Sequence, residues 1–399
     1  MNSRGQQRKF LVAAFLLAMT ICNVMLVVRL LPSLRNGFQD FTIFYTGARL
    51  IRNGQASALY DLAAQYRIQL TFAHVQIRQG PLPFNHPPFE ALLFVPFTLL
   101  DYWPAYLLWT ALNLIMLAVS VTVLSRHFRQ LDGVPSVVLG LAATAFFPVA
   151  IGIIQGQDLV LLLLLFVLAV ICLDKGSDAV AGALLAGGLF RPQLVVPLAL
   201  LLAIRRWRVL IGFAPVALFL VGVSVAIMGW RGPLDYVRFV LHLEGTAARA
   251  FGPEAVPNIR GLVSEMPGLS ASRLWTGMLI LTLSLVVFFV ALRRIRNGSD
   301  SIIFVSSLAV VTTILISFHA LVYDLGLLLP MLFFLLSRII DSMKAPERWS
   351  VLLAFLLFCS PLYMFRLLVG VNRFFWFSLI PLWIYLRLVT IPVNQEVPA

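Results

Sequence analysis

The stretch FLVAAFLLAMTICNVMLVV, residues 10–28, decides the fold: it is nineteen consecutive residues without a charge. As an α-helix rising 1.5 Å per residue it covers roughly 29 Å, the thickness of the hydrocarbon core of a bilayer. Arg4, Arg8 and Lys9 precede it, and Arg29-Leu-Leu-Pro32 follows. The basic start resembles a secretory leader, but the run is long and no small-residue cleavage site follows it. It therefore reads as an uncleaved first span, over roughly 10–31, with a cytoplasmic N-terminus.

The rest of the chain repeats this pattern. Of its 399 residues 60% are hydrophobic and only 12% charged, and the mean hydropathy is +0.94. A soluble domain carries about 25% charged residues. So few charges cannot coat a globule, and most of the surface must face lipid. The expected fold is all-α and polytopic, a single membrane domain over 1–399 with about eleven to thirteen transmembrane helices. The net charge of +13 does not indicate nucleic acid, because the cations form short clusters between apolar runs, the positive-inside pattern. All but Lys9, Lys175 and Lys344 are Arg. Arg favours bidentate contact with phosphate and carboxylate, which makes anionic membrane lipids plausible partners. Cys22, Cys172 and Cys359 lie inside apolar runs and read as small buried hydrophobes.

Further spans are expected at 104–124, 134–154, 159–173, 209–228, 273–292, 302–319, 321–337, 349–366 and 374–390. Two long polar loops, 32–86 and 229–272, fall on the outer side. The first reads as two amphipathic interfacial helices. One starts after Asp40 and stops at Asn53-Gly54, a C-cap signal; the other starts after Asp61 and runs to about Ile77. Residues 87–100, opened by Pro87-Pro88, are short for a span and read as tilted or re-entrant. Residues 179–204 carry basic flanks on both sides, Lys175 before and Arg205, Arg206 and Arg208 after. One span cannot have both ends in the cytoplasm, so two short helices meeting at Arg191-Pro192 are expected. No internal repeat supports an inverted-repeat transporter.

There is no P-loop, no GxGxxG after a strand, no HExxH, no CxxC and no DxD-type cation site, so no cofactor or metal is expected; whether a divalent ion is needed is left open. Polar residues at the outer ends of spans remain, where ionisable groups are costly and often functional. Asp40, at the head of a helix, is either an N-cap or a general base that takes the proton of an attacking hydroxyl. Arg191 is either ion-paired or snorkelling, or it binds a phosphate leaving group as charge develops there. His319, Tyr323 and Asp324 form either a structural network or a substrate contact. His86, Asn258 and Arg260 belong to the same face. Gln155-Gly156-Gln157-Asp158 reads as a polar turn between spans. His74, His127 and His242 have no metal-ligand spacing and read as solvated or interfacial. Because the polar groups gather away from the cytoplasmic side, a lipid-attached donor is favoured over a sugar nucleotide.

Several of these segments resemble the motifs of glycosyltransferase family 87, within the multispanning C superfamily. Asp40-Phe-Thr-Ile-Phe-Tyr-Thr-Gly-Ala-Arg-Leu-Ile-Arg-Asn-Gly54 with Leu59-Tyr60-Asp61 is similar to its first-loop signature. His86-Pro87-Pro88-Phe89 through Pro96, the Gly156-Gln157 turn, Ala181-Gly182 through Phe190-Arg191-Pro192, and His319 with Tyr323-Asp324 follow in the family's order. The family more often has Lys where Arg191 stands. The resemblance implies a polyprenyl-phosphate hexose donor, commonly mannose, inversion at the anomeric carbon, and Asp40 as the catalytic aspartate.

The expectation is therefore an inverting transferase of the bacterial cytoplasmic membrane, acting at its outer face on a lipid or glycan acceptor. Asp40 acts as base, Arg191, Arg260 and His319 bind the donor phosphate, and His86, Asn258, Tyr323 and Asp324 contact substrate. The alternative is a transporter or flippase of a lipid-linked or anionic substrate, which explains the spans and an intramembrane Arg191 but explains less well the amphipathic first loop and the gathering of polar groups on the outer face.

Overall fold

A computed structural model describes residues 3–37, 39–73, 80–245, 252–266, 273–298, 301–341, 348–368 and 374–390. No strand occurs among them. In chain order the helices are α1 (Ser3–Arg35), α2 (Phe41–Arg52), α3 (Leu62–Gln69), α4 (Pro88–Phe94), α5 (Tyr102–His127), α6 (Ser136–Ala145), α7 (Phe147–Gln155), α8 (Leu159–Asp174), α9 (Asp178–Gly187) and α10 (Pro192–Ala203). They continue with α11 (Arg208–Met228), α12 (Gly232–Gly245), α13 (Ile259–Ser264), α14 (Arg273–Asn297), α15 (Ile302–Ile316), α16 (Leu329–Asp341), α17 (Arg348–Phe358), α18 (Ser360–Leu368) and α19 (Leu379–Thr390).

Among the described residues, Gln6–Arg35 of α1, α5, α11, α14 and Val322–Ile340 are long and apolar enough to cross a membrane, and seven shorter apolar helices accompany them. The chain is an all-α, multi-pass integral membrane protein. Large apolar side chains stay exposed along these helices, Phe10, Leu17 and Val28 on α1 and Leu218 and Phe219 on α11. In water such faces would be a liability; in lipid they are the ordinary surface.

The expected span at 134–154 is instead two helices, α6 and α7, bent by 63° at Phe146. Pro148 in the first turn of α7 has no N–H to continue the ladder of α6. The carbonyls freed by the break are not left bare. Asn23 Nδ2 donates to Thr144 O at 2.8 Å and Ala145 O at 3.2 Å, and Ser360 Oγ donates to Ala145 O at 3.0 Å. A broken helix at membrane depth needs this kind of replacement partner.

The pair expected at 179–204 is present. α9 and α10 measure roughly 15 Å and 18 Å at 1.5 Å per residue, too short to cross singly. They run up and back, joined at Gly188–Arg191, and Arg206 Nη1 meets Asp178 Oδ1 at 3.4 Å where the ends away from that joint come together. α9 is held against α11 by small residues. A Cβ on Gly182 would lie 1.8 Å from Val209 O, and one on Gly212 1.7 Å from Ala179 O. Such close backbone approach is a general route to helix association in membranes.

The first loop is more deeply packed than a helix resting on an interface. Nine of the twelve residues of α2 are buried, and Phe41, Phe44, Phe94, Tyr102 and Trp109 join α2, α4 and α5 in one aromatic cluster. α3 stops at Gln69, short of the expected Ile77, which lies with His74 outside the described residues. The chain turns back there because glutamines hold it. Gln69 Nε2 donates to Leu82 O at 2.7 Å and Gln69 Oε1 accepts from Leu82 N at 2.9 Å, while Gln65 Oε1 accepts from Phe84 N at 2.8 Å. These clamps carry the chain into His86 and Pro87. The second loop, 229–272, contains α12 and α13 within its described part.

Candidate active site

Asp40 precedes α2 but does not cap it. Its backbone is already helical and its carboxylate accepts no bond from the first turn. Instead Oδ2 accepts from Gln157 Nε2 at 2.6 Å, and the Asp40 N–H donates to Gln155 Oε1 at 3.3 Å. The N-cap reading of this aspartate therefore falls, and its carboxylate is turned toward the turn between α7 and α8.

That turn exists because of Gly156, whose φ is +66°, a conformation glycine adopts without the Cβ penalty. A Cβ there would also lie 2.7 Å from Phe41 Cβ, so the turn and the start of α2 touch directly. Trp109 Nε1 donates to Gly156 O at 2.9 Å and the Tyr106 hydroxyl to Ile154 O at 2.8 Å, fixing the turn to α5. Gln157 and Asp158, 2% and 0% exposed, then point inward rather than into solvent. The plain-turn reading of these residues is corrected: they are the centre of the site.

Arg191 enters from the tip of the α9–α10 pair and is 3% exposed. Nε and Nη2 donate to Asp158 Oδ1 at 2.9 and 2.7 Å, Nη1 donates to Asp324 Oδ1 at 3.2 Å, and Nη2 also donates to Gln157 Oε1. These bonds use four of the five N–H groups of a guanidinium. The Gln157 amide thus links the carboxylate of Asp40 to the guanidinium of Arg191. Arg191 also stands over the Tyr323 ring, 5.2 Å from its centroid.

Beside Asp158, His86 Nδ1 lies 2.8 Å from Glu90 Oε2, and the ring also bonds the Phe190 backbone. Burial pushes the His86 imidazole down to about 3, opposed by Asp158 and reinforced by Arg191 and His319. The Tyr60 hydroxyl donates to His86 O at 2.8 Å. Tyr236 of α12 closes the side, its phenol raised by burial first and by Glu90 second, so that it keeps its proton as a donor.

Together these groups enclose a cavity of about 250 Å³, lined by Asp40, His86, Gln157, Arg191, Tyr236, His319 and Tyr323. One water needs roughly 10–15 Å³ of such space, so the cavity admits a much larger, polar ligand. Of the residues singled out in the sequence, Asp40, His86, Arg191, His319 and Tyr323 line it. Three do not. Asn258 is fully buried, caps α13 by accepting from Gly261 N at 3.3 Å, and donates to Ser317 O. Asp324, also fully buried, is held by Arg191 and accepts from Leu321 N at 2.7 Å. Their amide and carboxylate are engaged inside the protein, which corrects their assignment to direct substrate contact. Arg260 lies beside the cavity; its guanidinium stacks 4.1 Å above the Phe318 ring and donates to Phe318 O at 2.7 Å. Glu90 and Tyr236 carry no separate signal in the sequence, and the one clue to Gln157 and Asp158 is a polar pair after glycine between two apolar runs.

Such an arrangement can bind a polar ligand, hold a carboxylate in fixed orientation beside it, and present a guanidinium on the same wall. Residues 84–318, more than half of the chain, match the sequence model of glycosyltransferase family 87. No curated protein matches the chain at a significant level.

Proposed function

Because the chain belongs to glycosyltransferase family 87, we propose that it is an inverting transferase. It moves a hexose, mannose being the sugar implied by the resemblance, from a polyprenyl-phosphate donor to a lipid or glycan hydroxyl at the outer face of a bacterial cytoplasmic membrane. The observation that carries this reading is the Asp40–Gln157–Arg191 link on the wall of a cavity that admits a sugar. Asp40 takes the proton of the acceptor hydroxyl as that oxygen bonds to the anomeric carbon. The bond from that carbon to the phosphate oxygen breaks, its electrons stay with the phosphate, and polyprenyl phosphate leaves. Arg191 faces the departing charge, with His319 and Arg260 near the same rim. Asp324 and Asn258 act behind the cavity by holding Arg191 and the Ser317 carbonyl. The donor's chain stays in lipid.

The test is transfer from radiolabelled polyprenyl-phosphate mannose to membrane-extract lipids by the purified protein in detergent. Product in detergent, where no compartments exist, separates an enzyme from a transporter or flippase. Asp40→Asn is expected to abolish transfer while keeping expression and donor binding. Transfer at near wild-type rate in that variant refutes the base assignment.

A further inference from the structure

Four buried carboxyl groups surround the one buried guanidinium of the site. Asp40, Glu90, Asp158 and Asp324 are each 6% exposed or less. Arg191 is paired with Asp158 and Asp324, and Asp40 is met by Gln157. Glu90 is different. Its side chain is fully buried, Oε2 lies 2.8 Å from His86 Nδ1, and its carboxyl faces that of Asp158 at hydrogen-bonding distance. Two buried carboxyl groups this close need a proton or a cation between them.

One ligand atom each from His86, Glu90 and Asp158 lie within 4.8 Å of one another. An ion about 2.0–2.2 Å from each ligand spans pairs up to roughly 4.4 Å apart, so a movement of a few tenths of an ångström completes the coordination. We propose that His86, Glu90 and Asp158 form a binding site for one divalent cation of the manganese or zinc kind. One imidazole and two carboxylates suit such an ion better than a thiol-seeking one. The surroundings orient the ligands as metal sites require. His86 Nδ1 is turned toward Glu90 Oε2. Arg191 occupies Asp158 Oδ1 and leaves Oδ2 for the ion. His86 lines the cavity and provides the way in. The ion adds two positive charges behind Arg191, offsetting the carboxylates on that wall. This inference goes beyond the proposed reaction and stands without it.

The experiment uses the full chain, purified in detergent, stripped with EDTA, equilibrated with Mn²⁺ or Zn²⁺ and desalted. Metal per chain is read by inductively coupled plasma mass spectrometry, and Mn²⁺ affinity by the paramagnetic resonance signal of free Mn²⁺. About one ion per chain is expected in the wild type, with affinity lowered at least about tenfold in both Glu90→Gln and His86→Gln. If one variant does not purify as a monodisperse species, the other assigns the site. Wild-type protein that retains neither ion overturns the proposal and leaves Glu90 as a neutral acid sharing its proton. Retention of one ion with unchanged affinity in the variants overturns it as well, since the ion then lies elsewhere.

Discussion

Gln157 is the position at which the proposed chemistry and the packing separate most cleanly. Replacing it by Met keeps an unbranched side chain of similar volume and removes both polar contacts. On the Arg191 side the loss is one bond of four, because Asp158 and Asp324 still hold the guanidinium. On the Asp40 side it is the 2.6 Å bond to Oδ2. Hydrogen bonds to charged groups contribute about 1.5–3 kcal/mol each. If the Asp40 bond serves to orient the base in the transition state, its loss lowers kcat by roughly 10- to 150-fold. Donor binding, which does not use this bond, stays near wild type. The assay is mannose transfer in detergent at varied donor concentration, with a melting temperature on the same preparation. A folded Gln157→Met enzyme with kcat within about twofold of wild type refutes the positioning role, as does a loss confined to KM.

Gly156→Ala places a residue at φ +66° and a Cβ 2.7 Å from Phe41 Cβ. The backbone effect of about 1 kcal/mol and overpacking of about 1–3 kcal/mol predict a melting temperature lower by several degrees and a strong loss of transfer, because the base and its anchor both shift. Gly182→Leu drives a side chain into Val209 O, 1.8 Å from its Cβ; destabilisation of at least about 1–3 kcal/mol and poor recovery from membranes by size-exclusion chromatography are expected.

The fold was legible where the signal is one of thermodynamic necessity. Runs such as 10–28 have no place but lipid, and the basic residues on both flanks of 179–204 required a chain that turns back. The break at Phe146 was not legible, because the partners that make it tolerable, Asn23 and Ser360, come from distant parts of the chain. The same holds in the site. Asp40 and Arg191 stood out as charges in apolar surroundings. Gln157 and Asp158 looked like an ordinary turn, since a polar pair after glycine reads the same whether it faces water or a buried guanidinium. Asn258 misled for the converse reason: a polar residue in a loop near other candidates is here a helix cap.

The pairing of Arg191 also changes what can be asked of it. A guanidinium alone on an apolar wall attracts a phosphate strongly. One bonded to Asp158 and Asp324 has much of its charge answered by them and attracts a phosphate less at longer range. Its remaining value is local: it presents an N–H in a fixed direction, since the two carboxylates lock its plane, and preorganised donors stabilise developing charge without reorganising. On the proposed reading, the attraction that draws an anionic donor headgroup into the cavity then comes in part from other cations, the proposed divalent ion among them. Arg260, whose guanidinium lies over the Phe318 ring, is placed to add to it. The proposed reading then divides the work, Arg260 contributing to donor capture and Arg191 to the leaving-group step, two roles that a single unpaired arginine would merge.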